Sequence, residues 1–158
     1  SSYPGDSKLD DAAFFARLAT ALATVCSAAE KSGVDLAVEI TRAGSVGSAE
    51  TFLRLKDRVA SPALRVCMDA ANFAPDRTPL ERAVRMLGPD VVIAHAKDVR
   101  FADTGLVAAY GPAGSGKIDY PLYVRCLREH TPAAYLAFEY YRSREDLLRA
   151  RDLVRSCL

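Results

Sequence analysis

Four short apolar runs in this sequence each end on a residue able to bind a metal or move a proton, and that repetition constrains the fold more than any other feature. Leu36-Ala37-Val38 ends on Glu39, Leu64-Arg65-Val66-Cys67-Met68 on Asp69, Val91-Val92-Ile93-Ala94 on His95, and Tyr135-Leu136-Ala137-Phe138 on Glu139. Each run is short and holds no turn residue, which predicts a buried strand whose C-terminal end opens into a polar site. The third run continues through Ala96 to Lys97 and Asp98.

Helical patterns separate the runs. Leu9 to about Lys31 repeats apolar residues at helical spacing and meets a stop at Ser32-Gly33. A second helix is expected from Ser48, with Phe52, Leu55 and Val59 on one face, ending before Ser61-Pro62. Thr78-Pro79-Leu80-Glu81 reads as a capping box with proline at the first helical position, opening a helix that closes at Gly88-Pro89. Asp119 can cap a helix carrying Leu122, Tyr123, Cys126 and Leu127, and Ser143 precedes a last one with Leu147, Leu148, Leu153 and Val154. Val99 to Lys117, with four glycines, is expected to be one long irregular loop over the site.

Strands alternating with helices imply a parallel sheet, and ligands on all four strand ends suit a barrel with its site at the C-terminal face. The expected class is α/β, of the (β/α)8 barrel type. A complete barrel takes ~250 residues, so a single domain of 158 residues would hold about half of one, four parallel strands with their helices. A small doubly wound sheet is the alternative, but its site would cluster at one switch point.

Composition removes several classes. Lysine plus arginine, 21, nearly balance aspartate plus glutamate, 20, and the net charge of +1 asks for neither nucleic acid nor an anionic membrane. No apolar run approaches the ~20 residues of a spanning helix, and no signal peptide is apparent, so a cytoplasmic location is expected. Cys26, Cys67, Cys126 and Cys157 form no C-x-x-C pair and read as buried, reduced small hydrophobes.

Taken together, Glu39, Asp69, His95 and Glu139 would share a cation, because charged groups are seldom buried unpaired. Three carboxylates and one imidazole make a hard site for one divalent ion, with manganese or magnesium favoured and cobalt, iron or zinc able to substitute. Such an ion between two glutamates suits proton abstraction next to a carbonyl through a metal-stabilised ene-diolate. Glu39 and Glu139 are the expected acid/base pair, with Asp69 and His95 as further ligands. Lys97 and Arg100 are expected to touch substrate oxygens; a Lys97–Asp98 salt bridge is the competing reading, and Asp98 could instead orient a neighbour.

The same residues carry a resemblance. Val38-Glu39, Met68-Asp69-Ala70-Ala71-Asn72, His95-Ala96-Lys97-Asp98, Gly114-Ser115-Gly116-Lys117-Ile118-Asp119-Tyr120 and Phe138-Glu139 are similar to the C-terminal half of the xylose isomerase-like TIM-barrel superfamily. That superfamily holds sugar phosphate isomerases and epimerases, tagatose 3-epimerase-like enzymes, inosose dehydratases and endonuclease-IV-type nucleases. The resemblance implies that Glu39, Asp69, His95 and Glu139 are metal ligands and that the two glutamates exchange protons. Ketose 3-epimerases carry histidine three residues after the metal-binding aspartate, where this chain has Asn72, still able to bond a hydroxyl. The nucleases need several further histidines, and only His130 remains here.

Gly111 to Lys117 imitates a phosphate-binding loop, but Ile118 stands where the metal-binding hydroxyl belongs and Asp119-Tyr120-Pro121 replaces a continuing helix. Lys117 or the loop amides are left as contacts for a substrate phosphate or hydroxyl. The leading expectation is a metal-dependent sugar or polyol isomerase or epimerase. A dehydratase of inosose type is its rival. A non-catalytic half-barrel is the third reading, because open sheet edges require the missing N-terminal half or a second copy of the chain.

Overall fold

The computed structural model describes residues 12–41, 45–74 and 79–158. The chain divides into two compact units, Ser1–Cys67 and Met68–Leu158.

In the first unit, helix α1 (Ala12–Ser32) is followed by strand β1 (Leu36–Glu39), helix α2 (Ala49–Val59) and strand β2 (Leu64–Asp69), whose last two residues belong to the second unit. β1 and β2 run parallel, with Leu36 opposite Leu64 and Glu39 opposite Cys67. α2 begins where the sequence places it: the Ser48 hydroxyl accepts the Thr51 N–H at 3.1 Å, and the helix ends on Ala60 in the left-handed conformation (φ 52°). Phe52 and Leu55 of α2 are wholly buried, as are Leu64 and Val66 of β2 and Cys26 of α1. The spacing of Phe52, Leu55 and Val59 turns one helix face inward and leaves the charged residues outside.

α1 corrects one expectation. Over 21 residues it is long and apolar enough, by length and composition alone, to cross a membrane. Its apolarity comes largely from alanines, spread round the helix instead of concentrated in a run.

The second unit continues with a short helix α3 (Ala70–Phe73), helix α4 (Leu80–Leu87), a 3-10 turn (Gly88–Asp90), strand β3 (Val91–Phe101), strand β4 (Val107–Pro112), helix α5 (Tyr120–His130), strand β5 (Tyr135–Phe138) and helix α6 (Arg144–Ser156). β5 lies parallel to β3, with His95 opposite Ala137 and Ala96 opposite Phe138. β4 lies antiparallel to β3, pairing Lys97 with Pro112 and Val99 with Tyr110, with an irregularity between Arg100 and Phe101. The sheet is therefore mixed.

The expected loop from Val99 to Lys117 is thus replaced by a hairpin. β3 runs three residues beyond Asp98, and the chain folds back as β4 before the glycine-rich turn. A short helix, α3, follows Asp69 directly. α4 starts at Leu80 with Pro79 in the cap position and no side-chain cap bond, so the proline sits one place earlier than the capping box implies. Thr78 lies outside the described residues. α5 and α6 begin as expected, with Asp119 accepting the Leu122 N–H at 2.9 Å and Ser143 accepting the Asp146 N–H at 3.1 Å. Cys26, Cys67 and Cys126 are buried free thiols, while Cys157 is partly exposed, at variance with the expectation for all four.

Candidate metal centre

The second unit gathers three of the expected ligands. Asp69 ends β2, His95 lies within β3, and Glu139 follows β5, whose pairing with β3 is prolonged by a bond from the Glu139 N–H to the Ala96 carbonyl at 3.1 Å. Parallel pairing of β5 with β3 sets the ends of these strands side by side. One ligand atom from each of Asp69, His95 and Glu139 lies within 4.8 Å of the others. His95 Nδ1 is 3.2 Å from Glu139 Oε1 and 4.0 Å from Asp69 Oδ2. Glu39 closes β1 in the first unit, partly buried.

Asp69 is wholly buried, and one of its oxygens, Oδ1, accepts the Ala71 N–H at 2.9 Å as the cap of α3. Its other oxygen meets Lys97 Nζ at 2.7 Å, and the same ammonium lies 3.4 Å from Glu139 Oε2. Lys97 thus pairs with the carboxylates of the cluster, not with Asp98 as one expectation held. Adjacent residues of a strand point to opposite faces, so Lys97 shares a face with His95 and Asp98 does not.

Asp98 is buried and has a different task. Its Oδ1 accepts N–H bonds from Val99 at 2.8 Å and Ile118 at 2.9 Å, and its Oδ2 accepts one from Gly114 at 3.0 Å. The glycine-rich turn therefore cradles an anion, but the anion is this chain's own carboxylate. Gly116 is required there, because a Cβ would collide with the Val99 carbonyl and the Asp98 carboxylate. This end of the expected irregular loop is a turn pinned on Asp98, which orients its neighbours as the alternative reading held.

Tyrosines hold the strand ends from behind. The Tyr123 hydroxyl bonds the carbonyls of Met68 at 3.0 Å and His95 at 3.3 Å, and the Tyr120 hydroxyl bonds the Lys97 carbonyl at 2.9 Å. Burial, with the nearby Asp98 and Asp69 carboxylates adding to it, pushes the Tyr120 hydroxyl far above its ordinary range, so it serves as a neutral donor. Both residues stand on the first turn of α5, their rings edge-on at 6.1 Å. A Tyr-x-x-Tyr pair at one helical turn was the available sequence signal; it reads equally as plain core.

The other expected residues are placed as follows. Asn72 is buried in α3, one turn beyond Asp69. Arg100 is exposed on the face of β3 opposite His95 and Lys97, and Lys117 is exposed on the turn around Asp98, with its N–H on the Val99 carbonyl at 3.0 Å. His130 ends α5 beside Glu129 at 3.9 Å.

Two carboxylates and one imidazole converging in this way fit a divalent ion that prefers oxygen with one nitrogen. A match of the xylose isomerase-like TIM barrel family model spans residues 2–157. The chain belongs to that family. No curated protein matches it significantly. Among solved structures, it is similar to a xylose isomerase domain protein from Planctomyces limnophilus (21% identity, TM-score 0.78, 98% of this chain and 54% of the other). It is also similar to a xylose isomerase-like TIM barrel protein from Mycobacterium smegmatis in complex with magnesium (18%, TM-score 0.70, 93% and 52%). A third is an L-ribulose 3-epimerase (23%, TM-score 0.66, 88% and 46%). The chain spans about half the length of these structures, and its strands and helices form part of a barrel of this family's type.

Proposed function

We propose that this chain carries the metal-binding half of a sugar or polyol isomerase or epimerase. The observation that supports this most is the convergence of Asp69, His95 and Glu139 at strand ends in a chain of this family. Glu39 is the proposed fourth ligand. It ends β1 as Asp69 ends β2, in register with Cys67, two residues before Asp69 and on the same face of that strand.

A divalent ion held by these four residues, manganese or magnesium first, would supply polarisation of a substrate carbonyl and its neighbouring hydroxyl. Glu139, more open than Asp69 and His95 at 31% side-chain exposure, takes the proton from the carbon beside the carbonyl on one carboxylate oxygen. Glu39 is the proposed partner that returns a proton, which inverts or moves the stereocentre. Asp69 is kept from proton traffic by the Ala71 N–H and Lys97. Asn72 is the proposed hydrogen-bond partner for a substrate hydroxyl, in place of the histidine of ketose 3-epimerases. The remaining strands would come from further sequence or from a second copy of the chain, and the reduced cysteines suit a cytoplasmic setting.

The test is deuterium exchange. The chain is loaded with manganese in D2O and offered ketoses, their phosphates and inososes, and the carbon-bound protons are followed by NMR. The reading expects deuterium at the carbon next to the carbonyl of one substrate class, lost in Glu139→Gln. Loss of water from an inosose would assign a dehydratase instead. No exchange by folded, metal-loaded protein would favour the non-catalytic half-barrel.

A further inference from the structure

We infer that Lys97 is a resident counter-cation of this cluster, whose ammonium shares the ligand carboxylates with the divalent ion and lowers the affinity with which that ion is held. The inference rests on the metal-binding reading above. Lys97 leaves β3 two residues after His95, on the same face, and is 6% exposed. Lysine is almost never this buried unless paired. Here it has two anionic partners, Asp69 Oδ2 at 2.7 Å and Glu139 Oε2 at 3.4 Å. Asp69 Oδ2 is also the oxygen that faces His95 Nδ1. The ammonium therefore stands on the atom an incoming cation would need.

Its position is fixed from the other side by aromatic faces. The rings of Tyr110 and Tyr140 each lie 5.3 Å from Nζ and 5.7 Å from one another. A cation over two tyrosine faces is favoured by their quadrupoles, more so where water is scarce. Tyr140 directly follows Glu139 and holds a left-handed backbone (φ 59°), a conformation that persists for a bulky residue only where the surroundings impose it. Tyr110 comes from β4, the strand that makes this a hairpin. Carboxylates and tyrosines together enclose the ammonium.

Two effects of opposite sign follow. Lys97 neutralises part of the charge that Asp69 and Glu139 would otherwise carry against each other, which stabilises the metal-free protein. The same charge repels a divalent ion at close range, where screening by salt is weak. A merely structural lysine would show the first effect without the second.

The experiment measures manganese affinity from the EPR signal of free manganese in the full chain, beside Lys97→Gln and Lys97→Met. The inference expects at least tenfold tighter binding in both variants, with a lower metal-free melting temperature and a larger rise on adding manganese. Equal or weaker binding by a folded variant, while the unaltered chain binds, overturns the inference and leaves the functional reading standing. Absence of binding by all three overturns both. Should neither variant fold, the unaltered chain decides by NMR: the Lys97 ε-methylene signal, marked by the ring currents of its two tyrosines, is expected to move on magnesium titration. A signal unmoved at saturation overturns the inference.

Discussion

Replacing Asp98 by asparagine tests how the site's rear wall is built. The carboxylate takes three backbone N–H bonds, from Val99, Ile118 and Gly114, at 2.8 to 3.0 Å. Hydrogen bonds to a charged acceptor each contribute about 1.5–3 kcal/mol net. In Asp98→Asn the remaining oxygen can keep the Val99 and Ile118 bonds, without charge. The new amide group then faces the Gly114 N–H, donor against donor. We expect a local loss of about 2–4 kcal/mol, concentrated at Gly114. Hydrogen exchange reads this directly, because at 1.36 kcal/mol per decade the loss accelerates local opening by roughly thirty- to several-hundred-fold. The Gly114 amide should lose protection most and Ile118 less, while Thr51, capped by Ser48 in the first unit, should be unchanged. Unaltered protection at Gly114, or equal loss at Thr51, would refute the reasoning.

Two further outcomes are expected. Tyr123→Phe removes the hydroxyl shared by the Met68 and His95 carbonyls and should cost about 1–3 kcal/mol, read as a lower urea midpoint with unchanged slope. The Arg142 backbone N–H and then the Arg149 guanidinium hold the Asp146 carboxyl below its ordinary 3.8, so its contribution is present above that value and lost as pH falls through the lowered one. Asp146→Asn should therefore narrow the stability gap from the unaltered chain as pH falls below about 4, and a gap constant with pH would contradict this.

The parts of this protein legible in its sequence are those decided locally. Apolar runs ending on Glu39, Asp69, His95 and Glu139 announce strands with polar ends, and Ser48, Asp119 and Ser143 cap helices by hydroxyl or carboxylate chemistry within one turn. β4 was not legible. Val107 to Pro112 holds two alanines and closes on Gly-Pro, a weak strand by propensity, and it forms because β3 offers a partner edge. The partner of Lys97 was half legible. Strand alternation already rules out Asp98, but the choice of Asp69 and Glu139 depends on which strand ends the fold sets side by side. Arg100 is on the wrong face of β3 by the same alternation. The glycine-rich turn misled for a physical reason: backbone amides arranged to bind an anion look alike in sequence whether the anion is a phosphate or Asp98.

The measurement closest to the central claim is titration calorimetry of manganese into the chelator-stripped chain, beside Asp69→Asn. Asp69 is wholly buried and shares the cluster with His95 and Glu139. The account predicts one ion bound per chain with micromolar or tighter affinity, and at least a tenfold loss in the variant. Absence of binding by the folded, unaltered chain, or equal binding by Asp69→Asn, would contradict it.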